Sequence, residues 1–187
     1  MRVEPATGLL DAARFHPSPN CDDRPFGSVI DLIVIHGISL PPGEFGGPWI
    51  EALFTNALDP TAHAYFQAIV GLRVSTHLLI RRDGEILQYV PFDRRAWHAG
   101  ASTYAGRCRC NDFSVGIELE GTDFMAYTEP QYVRLAAAIA ALRAAYPTIH
   151  PERLAGHADI APGRKTDPGP AFDWNRLRRL LGDSPPR

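Results

Sequence analysis

Residues 31–36, Asp-Leu-Ile-Val-Ile-His, form a near-continuous apolar run rich in β-branched side chains. That pattern predicts a central strand buried on both faces, which Gly37 is expected to break. Residues 41–48 are dense in Pro and Gly and read as a loop. Short helices are predicted over 49–56 and 62–70. Residues 75–80 and 85–90 alternate as strands around Asp83-Gly84, a hairpin signal. Residues 114–119 alternate again, placing Val115, Ile117 and Leu119 on one face and Gly116 and Glu118 on the other. Tyr132, Leu135, Ala136, Ile139, Leu142 and Tyr146 then recur at helical spacing. Thr128 is a good N-cap for that helix, with Gln131 at the capping-box position, Pro130 in the first turn and Pro147 as the stop. A last helix is expected to begin near Asp173.

Strands mixed with helices, with both a hairpin and longer connections, predict an α/β fold: a central mixed β-sheet flanked by helices. A length of 187 residues suits one domain over 1–187, with 1–28 as an irregular leader packed on it. An apolar fraction of 45% and a charged fraction of 21% are ordinary for a soluble globular protein. A net charge of -2 gives no global reason to expect nucleic-acid binding. No apolar run is long enough to span a bilayer, and no obligate protein partner is inferred. The N-terminal Met-Arg-Val-Glu-Pro lacks a secretory apolar region. Cys21, Cys108 and Cys110 are an odd set without zinc-finger spacing, which suits a reducing compartment. The cytoplasm is the expected location.

The candidate chemistry gathers at the ends of these elements. His36 closes the buried strand just before a Gly-containing loop, where sheet proteins commonly place functional groups. His157, Asp159, Lys165 and Asp167 lie in a segment stiffened by Pro162, Gly163, Pro168, Gly169 and Pro170. Two histidines and one carboxylate make a sensible catalytic zinc set that leaves a fourth position for water. Residue chemistry alone does not choose between Asp159 and Asp167, and no HExxH helix is present. Glu118 reads either as part of the solvated face of an edge strand or as a general base. Lys165 reads as an ordinary solvated lysine or as a stabiliser of a developing oxyanion.

The motifs together resemble a known family. His36 within Val-Ile-His-Gly-Ile-Ser-Leu is similar to the AmpD-type 1,6-anhydro-N-acetylmuramyl-L-alanine amidases. So are Leu-Ile-Arg-Arg-Asp-Gly-Glu-Ile (79–86), Arg-Ala-Trp-His-Ala-Gly (95–100), Cys-Asn-Asp-Phe-Ser-Val-Gly-Ile-Glu-Leu-Glu-Gly-Thr-Asp (110–123) and Arg-Lys-Thr-Asp-Pro-Gly-Pro (164–170). The likeness runs in order over nearly the whole chain. The wider superfamily takes in phage amidase lysozymes and peptidoglycan recognition proteins of the same fold.

The resemblance implies zinc held by His36, His157 and Asp167, with Asp159 outside the ligand set. It implies Glu118 as the acid/base and Lys165 as the residue facing the transition state. Arg73 and Arg109 match residues that hold stem-peptide carboxylates, a role suited to guanidinium forks. Trp97 and His98 match the rim of a substrate groove. His77 matches a strand histidine that is not a ligand. Gly37 departs from the pattern, since relatives carry an Asn there that would bond the peptide.

The implied reaction is hydrolysis of the amide between anhydro-N-acetylmuramic acid and L-alanine in small soluble anhydro-muropeptides. It serves peptidoglycan recycling and, in relatives, depletes the signal for β-lactamase induction. The alternatives are an exported amidase acting on polymeric wall and a non-catalytic peptidoglycan-binding module.

Overall fold

A computed structural model describes residues 1–183. Six strands form the main sheet, in the spatial order Leu154–Gly156, Leu32–Ile38, Ser114–Glu120, Leu78–Ile80, Ile86–Gln88 and Arg14–Phe15. Neighbours are parallel except at the Leu78–Ile80/Ile86–Gln88 pair, which is the predicted hairpin. Gly84 turns that hairpin with φ +90, a conformation that strains any residue carrying a Cβ.

The sheet is mixed and flanked by helices, as the patterning predicts. Glu129–Ala145 is the long helix, opened by the capping box: Gln131 N–H donates to Thr128 Oγ1 and Thr128 N–H to Gln131 Oε1. Its Leu135, Ile139 and Leu142 bury fully against Ile33, Ile35, Val115 and Ile117 on one face of the sheet. Each such side chain contributes about 1.5–3 kcal/mol by leaving water. The other face is covered in two patches. Ile50 and Phe54 of the Trp49–Phe54 helix join Phe66 over Leu79 and Leu87. Leu32, Val34 and Ala155 pack with Cys110, Phe113 and Ile160. The space between these patches holds the site.

Three expectations change. Gly37 does not break its strand, which runs on to Ile38 in unbroken pairing with Ser114–Glu120. The Ser114–Glu120 strand is central and wholly buried, so Glu118 does not lie on the solvated face of an edge strand. The leader is more ordered than composition suggests. Its Arg14–Phe15 is the edge strand of the main sheet, and Cys21–Asp23 pairs with Arg94–Ala96. Arg24 fastens it further by donating to the carbonyls of Phe92, Asn111 and Ser114. Burial among these neutral groups pulls the Arg24 guanidinium down to about 10.

Candidate active site

Parallel pairing builds the site from strand ends. The register sets Glu118 opposite His36, and residues paired in this way point to the same side of the sheet. His157 follows directly on the Leu154–Gly156 strand, as the first residue of the short His157–Ile160 helix. All three therefore lie toward the C-terminal ends of parallel strands, where open α/β sheets place their ligands. Asp167 arrives from the loop beyond. That loop is tied to the helix start by Ala158 N–H on the Asp167 carbonyl at 2.9 Å, and Gly169 N–H closes a turn on Thr166 O at 3.0 Å.

The donor atoms converge. His36 Nδ1 lies 2.9 Å from His157 Nδ1 and 3.3 Å from Asp167 Oδ2, and His157 Nδ1 lies 3.1 Å from the same oxygen. A tetrahedral zinc with bonds near 2.0–2.1 Å spaces its donors about 3.3 Å apart, slightly wider than this triangle. The set of two imidazoles and one carboxylate suits a divalent ion in both spacing and chemistry. Asp159 lies outside the set. Its Oδ2 accepts from Gly156 N–H at 2.7 Å and caps the short helix. Geometry thus separates the two aspartates that residue chemistry left equal.

Glu118 Oε1 stands 3.9 Å from His36 Nδ1, and its other oxygen is buried without a hydrogen-bond partner. Burial pushes this carboxyl well above the usual carboxylate range. Asp167 adds to the rise and the Lys165 ammonium opposes it. Burial also drives His36 down to about 4, against the pull of Asp167. A cavity of about 610 Å³ opens over the group, lined by Glu118, His157, Lys165 and Asp167 on its floor and by Tyr65, Leu72 and Phe124 among its apolar walls. Phe124 is almost fully exposed there.

Of the other expected site residues, Arg73, Arg109 and Trp97 fall outside the cavity wall, whereas His98 lines it. Arg73 is exposed beside the cavity rather than in its wall. Arg109 is exposed, with Nε 3.2 Å from an Asp112 carboxylate oxygen. Trp97 is half-buried and stands outside the cavity wall, its indole N–H donating to Asp22 Oδ1 at 3.0 Å. His98 reaches the cavity, but both ring nitrogens face protein groups, His36 Nε2 at 2.9 Å and Ser114 Oγ at 3.2 Å. It lines the cavity while hydrogen-bonded directly to His36. His77 accepts from Gly116 N–H at 3.0 Å and donates to Arg94 O at 3.1 Å, as a structural histidine should.

Two neighbours went unread in the sequence. Tyr127 Oη donates to Pro168 O at 3.0 Å, directly after Asp167, and it fills the space into which a Cβ on Gly37 would project. Gly116 lies under His98: a Cβ there would come within 2.5 Å of the ring. Gly in a strand interior is a signal of such close approach.

Residues 26–170 match the family described as N-acetylmuramoyl-L-alanine amidase. The 1,6-anhydro-N-acetylmuramyl-L-alanine amidase AmpD of Escherichia coli (strain K12) is 64% identical over 174 residues, covering 93% of this chain and 94% of that protein. A crystal structure of an AmpD selenomethionine derivative superposes with a TM-score of 0.93 at 62% identity, covering 97% of this chain and 99% of the other. The amidase AmiD of Escherichia coli, solved with anhydro-N-acetylmuramic acid-L-Ala-D-γ-Glu-L-Lys, superposes with a TM-score of 0.62 at 29% identity, covering 87% of this chain and 62% of that one. With a family match over most of its length and relatives at this identity, the chain belongs to the N-acetylmuramoyl-L-alanine amidase family.

Proposed function

We propose that this chain hydrolyses the amide between the lactyl group of anhydro-N-acetylmuramic acid and L-alanine in small soluble muropeptides, as a zinc enzyme of cell-wall recycling. The observation that carries the reading is the convergence of His36 Nδ1, His157 Nδ1 and Asp167 Oδ2 beside a buried, unpartnered Glu118 carboxyl. AmpD relatives named for the anhydro substrate, and the AmiD complex with an anhydromuramyl peptide, support the substrate class. An intact set of candidate ligands and acid/base counts against a purely binding module.

His36, His157 and Asp167 would hold the ion, which when bound supplies Lewis acidity and brings the ionisation of water toward neutral pH. Glu118 takes the proton from the attacking water at its free oxygen. It then returns that proton to the departing L-alanine amine, which leaves as a neutral amine. Burial raises the pKa of this carboxyl, which makes it a stronger base toward the attacking water than an ordinary carboxylate and so suits it to the transfer. Lys165 faces the same cavity and offers positive charge to the oxyanion that develops as the carbonyl is attacked. Tyr65, Leu72 and Phe124 give apolar surface to the sugar or peptide and help exclude water. Arg73, exposed beside the cavity, and Arg109, exposed and paired with Asp112, have the guanidinium forks that suit stem-peptide carboxylates. No described helix is long and apolar enough to cross a membrane. Three free cysteines suit a reducing cytoplasm.

The test is mass spectrometry of an anhydro-muropeptide incubated with the enzyme, with and without a chelator. Free stem peptide should form only in the metal-replete sample and return on adding zinc. Full-rate cleavage after verified metal removal would overturn the reading. Intact sacculi run in parallel should release far less peptide than soluble fragments.

A further inference from the structure

The two histidines of the triad share one dipeptide as their support. His36 Nε2 meets His98 Nδ1 at 2.9 Å, His98 Nε2 meets Ser114 Oγ at 3.2 Å, and Ser114 Oγ meets Cys110 O at 2.6 Å. The far end of this chain is a carbonyl, which can only accept. Ser114 therefore donates to Cys110 O and accepts from His98 Nε2–H. That leaves His98 Nδ1 as an acceptor, so His36 must carry its proton on Nε2. On the other side, His157 Nε2 meets Ala99 O at 3.2 Å and must likewise carry the proton. Arg164 donates to the same carbonyl at 2.6 Å. Both histidines thus present a bare Nδ1 toward Asp167.

Asn111 holds the support in place. Its Oδ1 accepts from His98 N–H at 3.2 Å and from Ala99 N–H at 2.8 Å. The Ser114–Glu120 strand supplies the rest from one face: Ser114 to accept from His98, Gly116 to leave room for its ring, and Glu118 beside His36.

We propose that His98 is a positioning residue for the metal. With Ala99 O, and clamped by Asn111, it sets the tautomer and ring orientation of both ligand histidines through hydrogen-bond chains that end on backbone carbonyls. This rests on the triad being a metal centre. The acceptor for the first ligand is a neutral imidazole rather than the carboxylate or carbonyl more usual in such roles, so it works only as long as Ser114 fixes its polarity.

The experiment uses the full chain with zinc alone as the probe. Long-range nitrogen–proton NMR of the zinc-bound protein should find Nε2–H on His36, His98 and His157. An Nδ1–H on His98 would overturn the proposal. In competition with a chromophoric chelator, His98→Phe, which fills the space without an acceptor, should weaken zinc binding about 10- to 100-fold. His98→Asn, whose Oδ1 can stand where Nδ1 stood, should recover most of that loss. A space-filling role predicts the reverse order, and equal affinity in His98→Phe and wild type would also overturn the proposal. Should His98→Phe fail to fold, Ser114→Ala and Ser114→Thr replace it: zinc affinity falls in the first and returns in the second, whereas an unchanged Ser114→Ala overturns the relay. Wild-type protein that binds no zinc would instead remove the metal reading, a failure distinguishable from all of these.

Discussion

Glu118 stands directly opposite His36 in the parallel pairing of the two central strands, its Oε1 3.9 Å from His36 Nδ1. The separation leaves Glu118 adjacent to the triad without joining it. Replacing it with the isosteric amide should remove proton transfer and spare the metal. Glu118→Gln is expected to lower kcat about 100- to 10,000-fold with zinc content unchanged. Turnover within a few-fold of wild type would remove Glu118 from the mechanism.

The two aspartates of the 157–167 segment should behave differently. Asp167→Ala is expected to lose zinc and turnover together, since its Oδ2 touches both imidazoles. Asp159→Ala removes only the cap on Gly156 N–H. It should cost about 0.5–2 kcal/mol of stability and still bind zinc. Metal analysis beside chemical denaturation separates the two.

Gly37 and Tyr127 form a tight pair. A Cβ on residue 37 would meet Tyr127 Oη, and Pro168 Cα lies only 3.6 Å away. Gly37→Ala is expected to destabilise by about 1–3 kcal/mol through overpacking. Tyr127→Phe loses the bond to Pro168 O, worth about 1 kcal/mol. In the Tyr127→Phe background, Gly37→Ala should cost less than it does alone. Strict additivity in a double-mutant cycle would show that the hydroxyl is not the obstacle.

Acid should loosen the metal-free protein at pH values above the range in which ordinary carboxylates are protonated. Burial holds His36 at about 4 and puts His77 and His98 well below their ordinary value of 6.5. As pH falls through 6.5 the unfolded chain takes up protons at these positions while the folded chain refuses them, so stability drops. Glu118 works the other way. Its raised pKa makes the folded state gain relative stability as pH falls toward 4.5. Three histidines against one glutamate give a net loss, read as a fall in Tm of metal-free protein between about pH 7 and pH 5. A Tm that rises over that range would contradict the buried-neutral assignment.

Arg73 and Arg109 are exposed outside the main cavity wall. If they grip stem-peptide carboxylates, Arg73→Ala and Arg109→Ala should raise KM with kcat little changed. Equal KM for peptides with and without the terminal carboxylate would rule the grip out.

Where local physics decides, the sequence was legible. The helix capped by Thr128 and Gln131 and stopped before Pro147 appears as Glu129–Ala145, because capping and apolar spacing act within a few residues. The Asp83-Gly84 hairpin formed for the same reason. Strand lengths and the fate of Gly37 were less legible, since the pairing of residues 32–38 with 114–120 overrides one residue's weak preference. The leader's edge strand at Arg14–Phe15 is set by pairing with residues more than seventy positions away.

The amino-acid sequence by itself determined the donor types, two histidines and an aspartate near a glutamate and a lysine, and the strand and loop that carry them. Residue chemistry left Asp159 and Asp167 equal, and the family resemblance implied Asp167. The tertiary structure places Asp167 Oδ2 3.3 Å from His36 Nδ1, sets Glu118 in a central strand, and has His98 spend both ring nitrogens on His36 and Ser114. Each of these depends on strand register and on a loop folding back across the sheet. Contacts between residues 36, 98, 118 and 167 have no counterpart in local spacing, because the chain distances involved are closed by packing of the whole core.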